Sequence, residues 1–214
     1  HQGPYPQITV AINYQNDRSF VSYAAKHRQD AYKEHLTRMV RQSEARIYHF
    51  SAQREYIEAI REAKKLNKRI SLDVAWDEDW LKNPELRSII SLADIFLPNW
   101  KEAEVITGKS DPYEALEELA QLAPVVVVKM GERGAICKAG GKVYSTEAFA
   151  ANVVDSTGAG DCFVAGFLYG WLQNRSIEEC LKIASYCGSK CVEAVGGYTG
   201  VPTLGQLMKD LPFM

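Results

Sequence analysis

Four consecutive valines followed by a lysine, Val125–Lys129, form the segment that most restricts how this chain can fold. β-Branched residues favour strands, and a strand that is apolar at successive positions is typical of burial on both faces of a sheet. Further predicted strands at 47–50, 69–73 and 93–97 alternate along the chain with helical patterns. This alternation predicts an α/β fold with a mostly parallel sheet flanked by helices.

The beginning of the chain has a different pattern. Residues 8–14 and 20–24 are rich in β-branched and aromatic side chains, and the polar residues 15–18 separate them. Such a pair of runs predicts a β-hairpin over residues 8–25. The chain of 214 residues has the size of one large α/β domain, so we predict a single domain over 1–214.

Composition argues against several classes of partner. The formal net charge is -2 and the pI about 6.1, so the chain has no basic field that would attract nucleic acid or anionic lipid. No apolar run approaches the roughly 20 residues needed to cross a bilayer, and the first residues lack the pattern of a secretory signal. We therefore expect neither nucleic acid nor a membrane as a partner.

The five cysteines are an odd number without a paired framework. Cys180, Cys187 and Cys191 follow the spacing i, i+7 and i+11, which places them on one face of a helix and predicts buried thiols. A zinc site is the alternative, but these cysteines have no second pair and no nearby histidine, so burial is favoured. Unpaired cysteines are typical of a reducing compartment, and we expect a cytoplasmic protein.

The clearest chemical signal is the segment 155–161, Asp-Ser-Thr-Gly-Ala-Gly-Asp, which lies between an extended stretch and a predicted helix. Glycines at a helix entrance let backbone N–H groups point outward, and these donors form an anion site with the positive end of the helix. We predict that the N–H groups of Gly158, Ala159 and Gly160 bind a phosphate. Asp161 is then the candidate catalytic base, and the alternative is that it only caps the helix.

With the residues that follow, this segment reads D-S-T-G-A-G-D-C-F-V-A-G over 155–166. It closely resembles D-[TS]-x-G-A-G-D-x-F-x-x-G, the C-terminal signature of the ribokinase/PfkB-like carbohydrate kinase family. The resemblance implies a ribokinase-like fold and transfer of the γ-phosphoryl group of ATP to a hydroxyl of a small carbohydrate. It also implies that Asp161 accepts the hydroxyl proton while the preorganised amides stabilise the charge on the transferring group.

A second segment, Pro-Asn-Trp-Lys-Glu at 98–102, resembles the N-x-x-E element of the same family. The resemblance implies that Asn99 and Glu102 help to place Mg²⁺ and the phosphates of ATP. An asparagine before a helix is more often a simple cap, so this segment carries weight only together with the signature at 155–166.

A third segment, Lys-Met-Gly-Glu-Arg-Gly at 129–134, resembles the family's strand-end T-x-G-x-x-G, with Lys129 at a position where the motif usually has Thr and tolerates Lys. The resemblance implies that Lys129, Gly131 and Gly134 contact the nucleotide. A glycine turn after a strand is by itself a weak signal.

The loop around Gly196 and Gly197, which we call the late loop, resembles the loop near the C-terminal end that closes over adenine in this family. In many relatives a monovalent cation lies there, held by residues that match Asp155 and Thr157 and by carbonyls of the loop. The resemblance therefore implies nucleotide contacts from Gly196 and Gly197 and activation by K⁺.

An acidic group follows the predicted strand at 69–73 and consists of Asp73, Asp77, Glu78 and Asp79. A solvated loop at the strand end is favoured over a substrate or metal site. In relatives of the family the equivalent strand end faces the active-site cleft, which singles out Asp73.

Full-length members of the family carry an additional N-terminal segment that binds the sugar, and we expect this chain to lack it. Two alternatives to a sugar kinase therefore stay open: a nucleotide-binding relative without catalysis, and a nucleoside kinase of the same fold. Because lid strands often pair between subunits in this family, the resemblance also allows a homodimer through the hairpin.

Overall fold

The computed structural model of the protein describes residues 7–14, 17–24 and 29–213. Its strands are β1 Gln7–Tyr14, β2 Asp17–Ala24, β3 Ile47–Ser51, β4 Arg69–Asp73, β5 Ile95–Phe96, β6 Val125–Lys129, β7 Ala135–Ala139 and β8 Lys142–Thr146. Its α-helices are α1 Gln29–Gln42, α2 Ile57–Lys65, α3 Glu78–Leu81, α4 Pro84–Ile90, α5 Trp100–Thr107, α6 Pro112–Leu119, α7 Ala159–Leu172, α8 Ile177–Cys191 and α9 Leu204–Asp210.

Six strands form one sheet in the order β3-β4-β5-β6-β7-β8. The pairs from β3 to β6 are parallel, whereas β7 and β8 continue the sheet antiparallel to β6. Parallel neighbours end at the same edge of a sheet, so the carboxyl ends of β4, β5 and β6 lie side by side. The predicted α/β fold with a mostly parallel sheet is confirmed.

The sheet is covered on both faces by helices, and alternate residues of β5 and β6 enter opposite cores. In β6, Val126 and Val128 belong to the core beneath α2, α4, α5 and α6, whereas Val125 and Val127 belong to the core beneath α7 and α8. This two-sided burial explains why β6 is apolar at successive positions.

Local caps fix where the helices begin. Asp111 accepts hydrogen bonds from the N–H groups of Tyr113 and Glu114 at the start of α6. Ser176 and Glu179 form a reciprocal capping box at the start of α8, as the sequence predicts. The predicted burial of Cys180, Cys187 and Cys191 is also confirmed.

The hairpin stands apart from the large sheet as a two-stranded sheet of its own. β2 begins at Asp17, so the connection is shorter than the predicted loop at 15–18, although residues 15 and 16 lie outside the described residues. The register places Val10 opposite Val21. Both side chains are exposed, by 53% and 60% respectively.

Three predictions about elements need correction. The acidic segment after β4 is solvated as predicted, since Asp77, Glu78 and Asp79 are exposed, but it is not a loop throughout. Asp77 caps α3, and the following Trp80 is buried with its Nε1 donating to the Ala52 carbonyl. β5 is shorter than the predicted 93–97, and α8 ends at Cys191 instead of continuing to about residue 194. Within the described residues, we find no helix whose length and apolar content would let it cross a membrane.

Candidate active site

The loop before α7 takes a conformation that requires glycine. Gly158 caps α7 with a φ of 75°, in the left-handed region. A Cβ at this position would lie 1.9 Å from the Gly197 carbonyl oxygen, so no other residue fits without moving the backbone. The loop before α7 and the late loop therefore pack directly against each other.

The predicted phosphate donors lie at the entrance of this 14-residue helix. Among the described residues, the N–H groups of Gly158 and Gly160 donate to no protein acceptor, whereas the Ala159 N–H makes a long contact of 3.4 Å to the Ser156 carbonyl. Two unpaired donors at the positive end of a helix are suited to an anion.

Asp161 lies in the first turn of α7, and its side chain is exposed. The N-cap residue is Gly158, so Asp161 makes no side-chain hydrogen bond at the cap, although its negative charge interacts favourably with the helix dipole. The carboxylate lies at the same end of the helix as the unpaired amides.

Lys129, the last residue of β6, reaches the same place from the sheet. Its Nζ lies 3.6 Å from the position that a Cβ of Gly160 would occupy. Burial lowers the pKa of this ammonium, and the negative charges of Glu102, Asp73 and Asp161 oppose that shift. The lysine is thus the cation of a group that contains three carboxylates from three different elements.

Asn99 and Glu102 form a reciprocal capping box at the start of α5. The Asn99 side chain accepts from the Glu102 N–H at 2.9 Å, and Glu102 Oε2 accepts from the Asn99 N–H at 2.7 Å. Glu102 is only 6% exposed, and this burial raises the pKa of its carboxyl. The cap employs one carboxylate oxygen, which leaves the other oriented within the field of Lys129.

Asp155 ties the loop before α7 to the late loop. Its Oδ1 accepts from the N–H and the hydroxyl of Thr157, at 2.9 and 2.7 Å. Its Oδ2 accepts from the Gly196 N–H at 3.0 Å. The two residues predicted to hold a monovalent cation therefore lie together, in contact with the loop predicted to supply carbonyls.

Two buried thiols hold the same late loop from inside. Cys162 and Cys191 each place Sγ 3.4 Å from the Gly197 carbonyl oxygen, and Cys191 Sγ lies 3.5 Å from the Thr157 carbonyl. Burial raises the pKa of Cys162 to about 12, so this thiol remains a neutral donor. The buried faces of α7 and α8 thus fix the position of the loop that presses on Gly158.

A cavity of about 610 Å³ opens beside the helix entrance. Lys129, Asn99 and Gly160 lie next to one another in its lining and form its polar end, and much of the remaining wall is apolar. The apolar wall includes Ala148, Phe149, Ala150, Ala151, Val153, Phe163 and Val192. A cavity of this size that combines a charged group with a largely apolar wall has the form expected for a nucleotide site.

The cavity contains some predicted site residues and excludes others. Those that line it are Asn99, Lys129, Gly131, Gly134, Ala159 and Gly160. Those that do not line it are Glu102, Asp155, Thr157, Gly158, Asp161, Gly196 and Gly197. Gly134 also has a structural reason to be glycine, because a Cβ there would lie 1.9 Å from the Thr146 carbonyl oxygen. Gly196 and Gly197 lie behind the loop at Gly158 and support it.

Sequence reasoning missed the wall that α8 contributes. Ser185, Gly188, Ser189 and Val192 all line the cavity. Their spacing of i, i+3, i+4 and i+7 is one helix face, and its small residues leave room for a ligand. This row of small residues in the helix after the signature was a signal available in the sequence.

The chain belongs to the pfkB family of carbohydrate kinases, whose profile matches residues 6–204. An uncharacterized sugar kinase from Archaeoglobus fulgidus is 37% identical over 119 residues, which cover 55% of this chain and 47% of that protein. The chain spans about half the length of the curated relatives it matches.

Solved structures share the fold. A candidate ribokinase II from E. coli, in complex with ATP and Mg²⁺, has a TM-score of 0.80 at 21% identity and is covered to 71% by 96% of this chain. A nucleoside kinase from Burkholderia thailandensis, in complex with inosine, has a TM-score of 0.81 at 19% identity and is covered to 68% by 95% of this chain. At these identities the likeness shows the ribokinase fold.

Proposed function

We propose that the protein transfers the γ-phosphoryl group of ATP to a hydroxyl of a small carbohydrate. The observation that carries this proposal is the convergence at the entrance of α7. The unpaired N–H group of Gly160 and the ammonium of Lys129 line a nucleotide-sized cavity, and the unpaired N–H group of Gly158 and the carboxylate of Asp161 lie beside it at the same end of the helix. Membership of the pfkB family supports the same activity.

In the proposed reaction, the acceptor oxygen forms a bond to the γ-phosphorus as the bond from that phosphorus to the bridging oxygen of ADP breaks. Asp161 takes the proton that the hydroxyl loses. The N–H groups at the helix entrance donate hydrogen bonds to the phosphoryl oxygens, whose negative charge is dispersed during transfer. The apolar wall around Phe149 and Val153 holds the base of the nucleotide away from water.

The residues present fit a bound Mg²⁺. This ion prefers oxygen ligands and keeps several waters, and Glu102 and Asp73 supply carboxylates near the polar end of the cavity. When bound, Mg²⁺ neutralises charge on the phosphates of ATP. Glu102 would hold it through a phosphate or a water, with Asn99 orienting Glu102 through the capping box.

We also propose that K⁺ binds beside Asp155 and Thr157. The Asp155 carboxylate and the carbonyls of Thr157 and Gly197 bring oxygen atoms together at the junction of the two loops. Equal turnover in potassium and sodium buffers would count against this site.

The test of the main proposal is an ADP-release assay of the full-length gene product against a panel of sugars and nucleosides. We expect Asp161→Asn to lower turnover by roughly 10²–10⁴-fold, the usual effect of losing a general base, while ATP affinity is retained. Glu178→Gln, at an exposed carboxylate in the first turn of α8, is the matched control and should leave turnover unchanged. Near-normal turnover of Asp161→Asn would exclude the proposed base.

A nucleoside acceptor is the second candidate, and the nucleoside kinase bound to inosine is the observation that favours it. The same panel separates the two acceptors. ATP binding without transfer to any acceptor would instead support a nucleotide-binding protein without catalysis.

We further propose that two copies associate through the hairpin, because Val10 and Val21 expose a paired apolar surface on it. The five free cysteines of the chain are all buried, which is consistent with a reducing compartment, and we propose the cytoplasm. Cell fractionation tests the compartment, and recovery of the protein in a secreted fraction would refute it.

A further inference from the structure

We propose that His49 is a positioning residue that orients the Asp73 carboxylate toward the charged groups of the candidate active site and thereby strengthens the binding of Mg²⁺. This inference rests on the proposed function, which gives Asp73 a place near that ion. Three observations support it: the position of both residues in the sheet, the contacts of the imidazole ring, and the charges around Asp73.

His49 and Asp73 lie on the same face of the sheet. In the parallel register of β3 and β4, His49 is opposite Ser71, and Asp73 lies two residues further along β4. Side chains two residues apart on a strand point to the same face. The register of β4 with β5 pairs Ser71 with Ile95, which belongs to the core beneath α7 and α8. The three polar side chains are therefore on the side of the sheet that α7 covers, and α7 carries the proposed base.

The imidazole ring of His49 connects the two polar positions of β4. Its Nδ1 lies 3.1 Å from Ser71 Oγ, and its Nε2 lies 3.6 Å from Asp73 Oδ2. Ser71 is fully buried, so its hydroxyl needs a hydrogen-bond partner, and Nδ1 provides one. The distance to Asp73 is longer than a hydrogen bond, so the contact between the ring and the carboxylate is electrostatic.

The Ser71 hydroxyl decides which edge of the ring faces Asp73. A hydroxyl that donates to Nδ1 leaves the proton of the neutral ring on Nε2, so that an N–H group faces the carboxylate. The opposite tautomer would bring the lone pair of Nε2 close to a negative charge, which is unfavourable. The geometry therefore favours the tautomer with the proton on Nε2, in which His49 attracts the carboxylate.

The Asp73 carboxylate is oriented but not occupied by protein donors. Its side chain is only 18% exposed, yet within the described ranges neither of its oxygens accepts a protein hydrogen bond. Its negative charge acts on Glu102 and on Lys129, and Lys129 lines the cavity. Carboxylate oxygens in this condition are available to a metal ion or to the waters that the ion keeps.

His49 does not line the cavity, so its effect passes through Asp73. A carboxylate whose direction is already set by a neighbour loses less rotamer freedom when it binds an ion. Loss of such an outer partner typically lowers metal affinity by about 10–100-fold. The effect of His49 should therefore be seen in the dependence on Mg²⁺ and not in nucleotide binding without the ion.

The experiment compares His49→Phe, His49→Gln and the control His35→Phe in the full-length protein. Phenylalanine keeps a ring without its nitrogens, whereas glutamine keeps an N–H donor. His35 is an exposed histidine of α1 whose ring contacts Arg38. For each variant, calorimetry measures ADP affinity in Mg²⁺ and in EDTA, and an ADP-release assay measures the Mg²⁺ concentration that gives half-maximal turnover.

We expect His49→Phe to lower by about 10-fold the factor by which Mg²⁺ strengthens ADP binding, while ADP affinity in EDTA stays unchanged. The Mg²⁺ concentration for half-maximal turnover should rise by a similar factor, whereas turnover at saturating Mg²⁺ changes little. His49→Gln should retain most of the effect of Mg²⁺, and His35→Phe should resemble the wild type in every measurement.

Equal losses of ADP affinity in Mg²⁺ and in EDTA would overturn the inference, because they would mean that His49 supports the fold and not the metal-binding carboxylate. An unchanged effect of Mg²⁺ in His49→Phe, or an equal loss of that effect in His49→Gln, would overturn it as well. So would a wild type whose ADP affinity does not respond to Mg²⁺.

The two ADP affinities also separate this inference from the proposed function. If the wild type transfers phosphate to no acceptor, the proposed function fails, and the affinities in Mg²⁺ and in EDTA still decide the role of His49. If His49→Phe does not fold, Ser71→Ala takes its place, since it removes the hydroxyl that fixes the ring. An effect of Mg²⁺ that is the same in Ser71→Ala and in the wild type would then overturn the inference.

Discussion

At the scale of single residues, the site consists of side chains that serve local structure and chemistry together. Glu102 shows this most clearly, because one carboxylate oxygen completes the capping box of α5 while the residue faces Lys129. A cap and a ligand-binding role are therefore not alternatives for this segment. The sequence analysis treated the cap and the ligand-binding role as alternatives because it gave each residue a single function.

The burial of Glu102 leads to a prediction about pH. Burial raises the pKa of this carboxyl above its ordinary value of 4.5, so the folded protein binds more protons than the unfolded chain between that value and the raised one. The contribution of the protonated Glu102 carboxyl to the free energy of unfolding is therefore lost as the pH rises through this range. Glu102→Gln keeps a residue able to complete the capping box and removes the buried charge.

We expect Glu102→Gln to be at least as stable as the wild type at neutral pH and to lose part of the pH dependence of unfolding. Turnover should fall by about 10–100-fold, as for residues that support a metal. Urea unfolding across a pH series and an ADP-release assay provide the measurements, with the exposed Glu104→Gln of the same helix as control. A variant that is less stable at neutral pH and fully active would contradict both roles.

At the scale of elements, the site depends on the close packing of α7 against α8. A Cβ on Gly166 would lie 2.9 Å from the Ala184 Cα and 3.0 Å from the Cys187 Sγ. The same two helices carry the amides that we propose bind phosphate and the row of small residues that line the cavity. The distance between the helices therefore sets the width of the candidate nucleotide site.

We predict that Gly166→Ala forces the two helices apart. The strain of overpacking costs about 1–3 kcal/mol, which exceeds the gain of up to about 1 kcal/mol in helix propensity. Nucleotide affinity should fall because the α8 wall moves with the helix. Calorimetric melting and ATP titration measure the two effects.

Gly205→Ala is the matched control, since this glycine of α9 has no heavy atom within 4 Å of its Cβ position. That change should leave nucleotide affinity unaltered and should not destabilise the protein. If Gly166→Ala proved as stable as Gly205→Ala, the packing would not limit the site.

At the scale of the whole molecule, the hairpin is the part with least support from the rest of the described protein. It forms its own two-stranded sheet, and isolated hairpins are marginal in water. Val10 and Val21 lie opposite each other with their side chains exposed. Association with another hairpin would remove this surface from water.

We predict that replacing both Val10 and Val21 by Glu raises the dimer dissociation constant at least ~10-fold, because two like charges would be buried in each contributing surface. Sedimentation velocity measures the change. Val143→Glu, at an exposed position of the sheet edge on β8, is the control and should not alter the association state. Identical sedimentation of the double variant and the wild type would exclude this surface as the interface.

Much of the fold could be predicted because its signals are local. β6 was identified with its observed limits from four valines, and the helix entrance at Gly158 follows from glycines whose backbone geometry few other residues adopt. α3 was missed, since a four-residue helix shows too little periodicity to distinguish it from a loop.

The sequence by itself determined the alternation of strands and helices in most of the chain, the position of the glycine loop before α7 and the family, because each depends on residues adjacent in the chain. Only the tertiary structure decided that Asp73, Glu102, Lys129 and Asp161 share one electrostatic environment, and that a face of α8 closes the cavity. The physical reason is that parallel strands bring distant segments to one edge of the sheet, and no local pattern records which side chains meet there.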